Sequence, residues 1–209
     1  FELAKRAIDL DESLPLGYSI LGEVYLWKKQ HERAIAAQKK AIALSPNDAD
    51  GIAGLGGILT WAGRPEEAIE LVKKAMRLNP LYPTEYLWNL GNAYYLIGRY
   101  EEAIAMLNEG IATDINTGNQ RAASTKYIAL AEARLANGDG PESVADALNK
   151  ALDIRRGTSQ MVAAARLYLE LGESYLGPGL AIAAELSASL QPEQRAYAAL
   201  LRGIVDSDG

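Results

Sequence analysis

The chain has 209 residues, 49% hydrophobic and 23% charged, the balance of an ordinary soluble globular fold. A net charge of −6 argues against nucleic acid as the main partner, and the absence of cysteine excludes a disulfide framework and a thiolate metal site. No apolar run approaches the roughly 18 residues that cross a bilayer, and no signal peptide is visible; a cytoplasmic location is expected, with a periplasmic one as the alternative. Ala, Leu and Glu dominate and alternating β-branched runs are missing, which predicts an all-α fold.

In chain order, Phe1–Leu10 reads as the second helix of a helical pair. Ala7 lies 34 residues before Ala41, and Leu10 lies 34 before Leu44, so the register predicts a further helix ahead of Phe1. Pro15–Leu26 and Glu32–Leu44 are the first complete pair. Asn47 or Asp48 caps the next helix, Asp50–Ala62. That helix carries Gly51, Gly54, Gly56 and Gly57, each costing about 1 kcal/mol relative to Ala, and is expected to be the loosest. Its Gly-Leu-Gly-Gly run follows no strand and precedes no Lys-Ser/Thr, so it reads as close helix packing rather than a phosphate loop. Pro65 stands in the first turn of the following helix, where its missing N–H is harmless.

Three stretches repeat: Gly22–Ala34, Gly56–Ala68 and Gly91–Ala103, with Gly22 34 residues before Gly56 and Gly56 35 before Gly91. Leu21-Gly22, Tyr25, Ala34, Ala41 and Pro46 recur as Leu55-Gly56, Leu59, Ala68, Ala75 and Pro80, then as Leu90-Gly91, Tyr94, Ala103 and Gly110. This pattern resembles the tetratricopeptide repeat, a helix–turn–helix unit of about 34 residues. The small residues let paired helices approach and the large ones fill the gap to the next pair. Two features depart from the family. The aromatic slot of the second helix holds Gln38, Val72 and Leu107, and the first turn reads Lys28-Lys29-Gln30-His31 where the others have Gly63 or Gly98.

After Gly110 the period lengthens. Leu130-Ala131 takes the Leu-Gly slot 40 residues after Gly91, and Leu171-Gly172 takes it 41 later. Thr113–Asn119 and Ile154–Gln160 hold the extra residues, and helices here are expected to be longer by one or two turns. The stretch 118–139 resembles the longer repeat of kinesin light chain, through Gly118-Asn119, Tyr127, Leu130, Ala131 and Gly138-Asp139. Tyr168, Leu171, Gly172 and Tyr175 continue it to a short turn at Gly177-Pro178-Gly179. Tyr197, Leu200, Leu201 and Ile204 mark a capping helix. The resemblance implies one right-handed superhelical solenoid of about twelve helices. Its units are a partial repeat 1–14, repeats 15–48, 49–83, 84–117, 118–157 and 158–191, and a cap at 192–206.

The chemistry-bearing residues point away from catalysis. His31 is the only histidine, placed in a turn among Lys and Gln, and reads as a solvated surface group. Glu66-Glu67 and Glu101-Glu102 open second helices, where negative charge suits the helix dipole. Asp9, Asp11 and Glu12 lack the glycine and spacing of an EF-hand. No enzyme activity, cofactor or metal is expected.

The resemblance implies a concave groove lined by the first helix of each pair. In this sequence its slots hold Glu23 and Trp27; Asp50 and Trp61; Glu85, Trp88, Asn92, Tyr95 and Leu96; and Ile128 and Glu132. Rigid aromatics there are typical partner anchors. The carboxylate clamp of chaperone-binding members is missing, since Ser19, Ala53 and Trp88 stand where its cations would. The expected function is a protein–protein interaction module that binds a partner protein or peptide. Arg77–Ile104 resembles a segment of the repeat tails of bacterial class III adenylate/guanylate cyclases, which implies the alternative of a regulatory tail of a signalling enzyme. A homo-oligomeric scaffold, dimerising through the N-terminal helix, is the third expectation.

Overall fold

The computed structural model describes residues 2–189 and 191–207, and among them every regular element is helical. Twelve α-helices appear: α1 Glu2–Leu10, α2 Pro15–Trp27, α3 His31–Leu44, α4 Ala49–Trp61, α5 Pro65–Leu78, α6 Thr84–Leu96, α7 Tyr100–Asn116, α8 Gln120–Asn137, α9 Pro141–Ile154, α10 Thr158–Glu170, α11 Leu176–Ser187 and α12 Pro192–Ser207. A short 3-10 turn, Glu173–Tyr175, precedes α11. The chain forms two compact units, residues 1–106 and 107–209, and their boundary falls inside α7.

In the first unit α2 packs on α3 and α4 on α5, while α2, α4 and α6 follow one another side by side. The period explains this arrangement. Ala34, Ala68 and Ala103, one per repeat, are fully buried. Their small side chains let the paired helices close. Gly56 goes further, since a Cβ there would meet Val72 Cγ2 at 2.5 Å and the Ala68 carbonyl oxygen at 3.2 Å. The glycine run of α4 is therefore close packing, and eight residues of that helix are buried. Asp48 caps α4, its Oδ1 accepting from the Asp50 N–H at 3.1 Å.

The odd first turn keeps the shape of the others. Lys29 adopts φ 56°, the left-handed conformation that Gly63 and Gly98 take at φ 76°. The odd residue of the second helix also has a partner. Gln38 is buried and its Nε2 donates to the Gly51 carbonyl at 2.8 Å and to Ser19 Oγ at 3.3 Å. An amide thus stands where the resemblance implied an aromatic, and it joins α3 to both α2 and α4.

In the second unit α8 packs on α9 and α10 on α11, with α8 beside α10 and α10 beside α12. Helices α7 and α8 are long, 17 and 18 residues, as the wider period predicts. Helices α9 and α10 are not, at 14 and 13 residues. The link between them, 155–157, is also short, and the Leu171-Gly172 motif falls just beyond the end of α10. The expected turn at Gly177-Pro178-Gly179 is likewise displaced: these residues lie in the first turns of α11, where proline is tolerated. The chain turns earlier, at Gly172, whose φ of 92° only glycine takes readily. The side chains of Arg202 and Ile204, and residues Phe1, Asp208 and Gly209, lie outside what is described.

Between α7 and α8 lies the one ion pair of the described residues with both partners buried. Lys126 Nζ is 2.6 Å from Asp114 Oδ2, with side-chain exposures of 4% and 1%.

Candidate functional site

The candidate site in the first unit is built on α2, α4 and α6, whose direct packing places their outer faces next to one another. Trp27 and Trp61 end α2 and α4 and are 86% and 61% exposed. Leu96 ends α6 in the corresponding place and is 54% exposed. Their positions follow from the helix boundaries. Each is the last residue before a turn that passes through a left-handed residue, so nothing folds back over it. Trp88, Asn92 and Tyr95 are half-buried on α6, and Glu23 and Glu85 are exposed.

Several of the expected groove residues already have intramolecular partners. Asp50 Oδ1 accepts a 2.7 Å hydrogen bond from the Tyr86 hydroxyl of α6. Burial, and then this carboxylate, hold the Tyr86 phenol well above its ordinary range. Asn92 Nδ2 donates to the Trp88 carbonyl one turn earlier at 2.8 Å, so one of its two N–H donors is engaged within the helix. The Tyr95 ring lies 5.7 Å from that of Tyr100, tilted by 56°. Of the expected carboxylates Glu23, Asp50 and Glu85 on these helices, Asp50 is thus the one committed to a neighbouring helix.

The second unit contributes a different picture. Ile128, expected on the groove, is only 9% exposed, so it belongs to the core of α8. Glu132 pairs with Arg166 of α10 at 2.6 Å, and Arg166 also holds Glu170 at 2.7 Å. Burial pushes the Glu132 carboxyl up while Arg166 opposes the shift. Arg166 lies 34 residues after Glu132, short of the 40–41-residue spacing of the motif in this part of the chain, so the period did not point to this pair.

A further exposed group escaped the sequence reading. Leu81, at the tip of the α5–α6 loop, is 93% exposed. Asn79 Oδ1 accepts from its N–H at 3.2 Å, and the next ring, Tyr82, stacks on Tyr86 at 6.0 Å. The single extra residue between Gly56 and Gly91 was the available signal.

In each acidic pair one carboxylate is held by an arginine. Arg64 clamps Glu67 with two bonds, Nε to Oε1 at 2.6 Å and Nη2 to Oε2 at 2.7 Å, and one repeat later Arg99 donates through Nε, at 2.7 Å, and Nη2 to the single oxygen Oε1 of Glu102. The hydrogen bonds from these arginines lower both carboxyls below the usual range. Asp11 accepts from the Ser13 N–H at 2.9 Å and from its hydroxyl at 2.6 Å, bracing the α1–α2 link. His31 opens α3 and is half-buried, with Nδ1 shielded and lacking a hydrogen-bond partner, so it is not the freely solvated group expected. Among the described residues no three metal-binding side chains gather, and no helix is long and apolar enough to cross a membrane.

Two tetratricopeptide-repeat family models match the chain, one over residues 17–48 and one over 48–115. No curated protein matches it in sequence. Among solved structures it is similar to PilW, a type IV pilus biogenesis factor, at 18% identity and a TM-score of 0.74, covering 92% of this chain and 86% of that one. A tetratricopeptide-repeat protein of Thermus thermophilus gives 19% identity and a TM-score of 0.71, over 90% and 98% of the two chains. The pilF protein of Pseudomonas aeruginosa gives 24% and 0.63, over 91% and 89%. At these identities the likeness shows the fold.

Proposed function

From a chain whose residues 17–115 are tetratricopeptide repeats, we propose a protein–protein interaction module that captures a partner on the α2–α4–α6 face and has no catalysis of its own. A cytoplasmic location belongs to the same reading. One observation carries it: all three tryptophans of the chain stand on these three adjacent helices, two of them largely exposed. Large apolar side chains gathered on an open face cost solubility unless they serve a contact. Exposed Glu23 and Glu85 beside them favour partners whose apolar anchors are flanked by basic residues.

A peptide-array screen tests this. Peptides with aromatic or aliphatic anchors and Lys/Arg flanks are expected, and Trp88→Ala weakens their binding about tenfold with little change in melting temperature. Recovery of mainly acidic peptides would sink the reading. Asn92→Ala is expected to behave like Trp88→Ala, because only one of its amide N–H groups is bound to its own helix and the rest of the amide can hold a peptide backbone.

A second reading, self-association through α1, is favoured by Leu3 and Leu10, which are both more than four-fifths exposed. Light scattering at micromolar concentration is expected to report a dimer that Leu3→Glu turns into a monomer. A monomer for the unaltered chain across that range removes the reading.

A further inference from the structure

An Asn or Asp side chain can be attacked by the main-chain nitrogen of the residue that follows it, closing a succinimide ring. Glycine in the second place favours the attack, since it has no Cβ to crowd the approach and its backbone turns freely. Three such pairs lie among the described residues: Asp50-Gly51, Asn137-Gly138 and Asp139-Gly140. The fold treats them differently.

Asp50 stands in the first turn of α4, and its Oδ1 accepts from the Tyr86 hydroxyl at 2.7 Å. Gly51 is buried. Ring closure needs a backbone that leaves the helical conformation, and this helix holds it there. Asn137 is the last residue of α8. The Gly138 N–H donates to the Leu135 carbonyl at 3.1 Å, and the Asp139 N–H donates to the Arg134 carbonyl at 3.0 Å, bonds of a Schellman-type helix end. They keep Asn137 helical and engage the nitrogen that would attack it. The Asn137 side chain is held as well, its Nδ2 donating to Asp139 Oδ1 at 2.8 Å.

Asp139 differs from both. It lies beyond the helix end, in the irregular link 138–140, and Gly140 after it is exposed. The Gly140 N–H has no acceptor among the described residues. The attacking nitrogen is therefore free and wet. The bond from Asn137 also draws electron density from the Asp139 carboxyl, which makes its Cγ a better target.

We propose that Asp139 is a site of spontaneous covalent modification, isomerising to isoaspartate through a succinimide formed with Gly140. The Gly140 nitrogen bonds to Cγ of the protonated carboxyl, and the displaced hydroxyl leaves as water with the N–H proton. A water molecule then reopens the ring. Breaking the new bond at Cγ restores aspartate. Breaking the bond from nitrogen to the Asp139 main-chain carbonyl leaves isoaspartate, whose main chain runs through Cγ. The two steps release and consume one water and need no oxidant or cofactor. The product adds a methylene to the short link between the packed helices α8 and α9, where Arg134 Nη1 also holds the Ser143 carbonyl at 2.8 Å. The mark falls in the second unit, away from the α2–α4–α6 face, and it stands whether or not that face binds a partner.

The test is to age the whole chain in mildly acidic buffer at physiological temperature, beside a synthetic peptide of residues 135–150. Trypsin cleaves after Arg134 and Lys150, so it releases that same peptide from the aged protein. A mass gain reads deamidation of Asn137, and fragmentation that separates isoaspartate from aspartate reads residue 139. Deamidation of Asn137 is expected to be at least about tenfold slower in the folded chain than in the peptide, because the helix end must first open locally. Isoaspartate at 139 is expected within about threefold of the peptide rate, because no structure needs to open. Asp139→Glu, which keeps the charge but requires a larger ring, is expected to abolish the signal at 139 with an unchanged melting curve. A rate at Asp139 more than about tenfold below that of the peptide overturns the proposal, since it shows that the fold protects this link. Isoaspartate in the folded chain that arises at residue 137 and not at 139 overturns it too.

Discussion

Lys126→Met lowers the stability of the second unit by about 3–5 kcal/mol, the usual cost of removing one partner from a buried ion pair. The substitution keeps the length and much of the volume of the side chain, so packing changes little. What changes is Asp114, which stays almost wholly enclosed without the ammonium 2.6 Å away. The double variant Asp114→Leu/Lys126→Met removes both charges and is expected to recover most of the loss, because apolar pairs often match or exceed a buried ion pair. Urea denaturation followed by circular dichroism measures both. A loss below about 1 kcal/mol for the single variant is the size typical of an exposed pair, and it would contradict the burial described for this one.

Gly56→Ala is the second large effect, expected to destabilise the first unit by about 1–3 kcal/mol through overpacking. Helix propensity works in the opposite direction, favouring Ala over Gly by about 1 kcal/mol. Sterics win here because neither obstacle yields easily. Val72 is fully buried, and its β-branched side chain is stiff. The Ala68 carbonyl is backbone. Val72→Ala added to Gly56→Ala is therefore expected to cost less than the two single losses combined, a coupling that thermal melts of the four proteins reveal. A Gly56→Ala protein that melts at or above its parent would show that α4 and α5 have room to spare.

These two sites differ in how far they could be read from the residues alone. Gly56 sits in a motif that recurs at a fixed spacing, so its role as a point of close approach was visible, and the fully buried Ala34, Ala68 and Ala103 follow the same logic. The pair of Lys126 and Asp114 was invisible. Both lie among polar residues, in the part of the chain where the period widens, and nothing local distinguishes a buried Lys from a solvated one. The candidate face shows the same division. The exposure of Trp27 and Trp61 follows from their place at helix ends. The commitment of Asp50 to Tyr86 and of Glu132 to Arg166 depends on side chains roughly one repeat away, which a list of slots treats as independent. The burial of Ile128 was missed for a similar reason, since slots defined on the shorter repeat were carried onto the longer α8.

The amide of Gln38 limits how the repeats can be shuffled. It reaches the carbonyl of Gly51, and a side chain at Gly54 would crowd its Nε2 at 3.4 Å. The helix that follows α3 must therefore keep a reachable carbonyl at the first of those places and room for the amide at the second. Val72 makes the complementary demand on Gly56, and it offers no donor. Exchanging α3 for α5 in a rearranged array would set an aliphatic side chain against a seam shaped for an amide, and an amide against one shaped for a methyl group. The order of the first two repeats is in this sense written into their boundary, as a lock and key between neighbours rather than as interchangeable bricks.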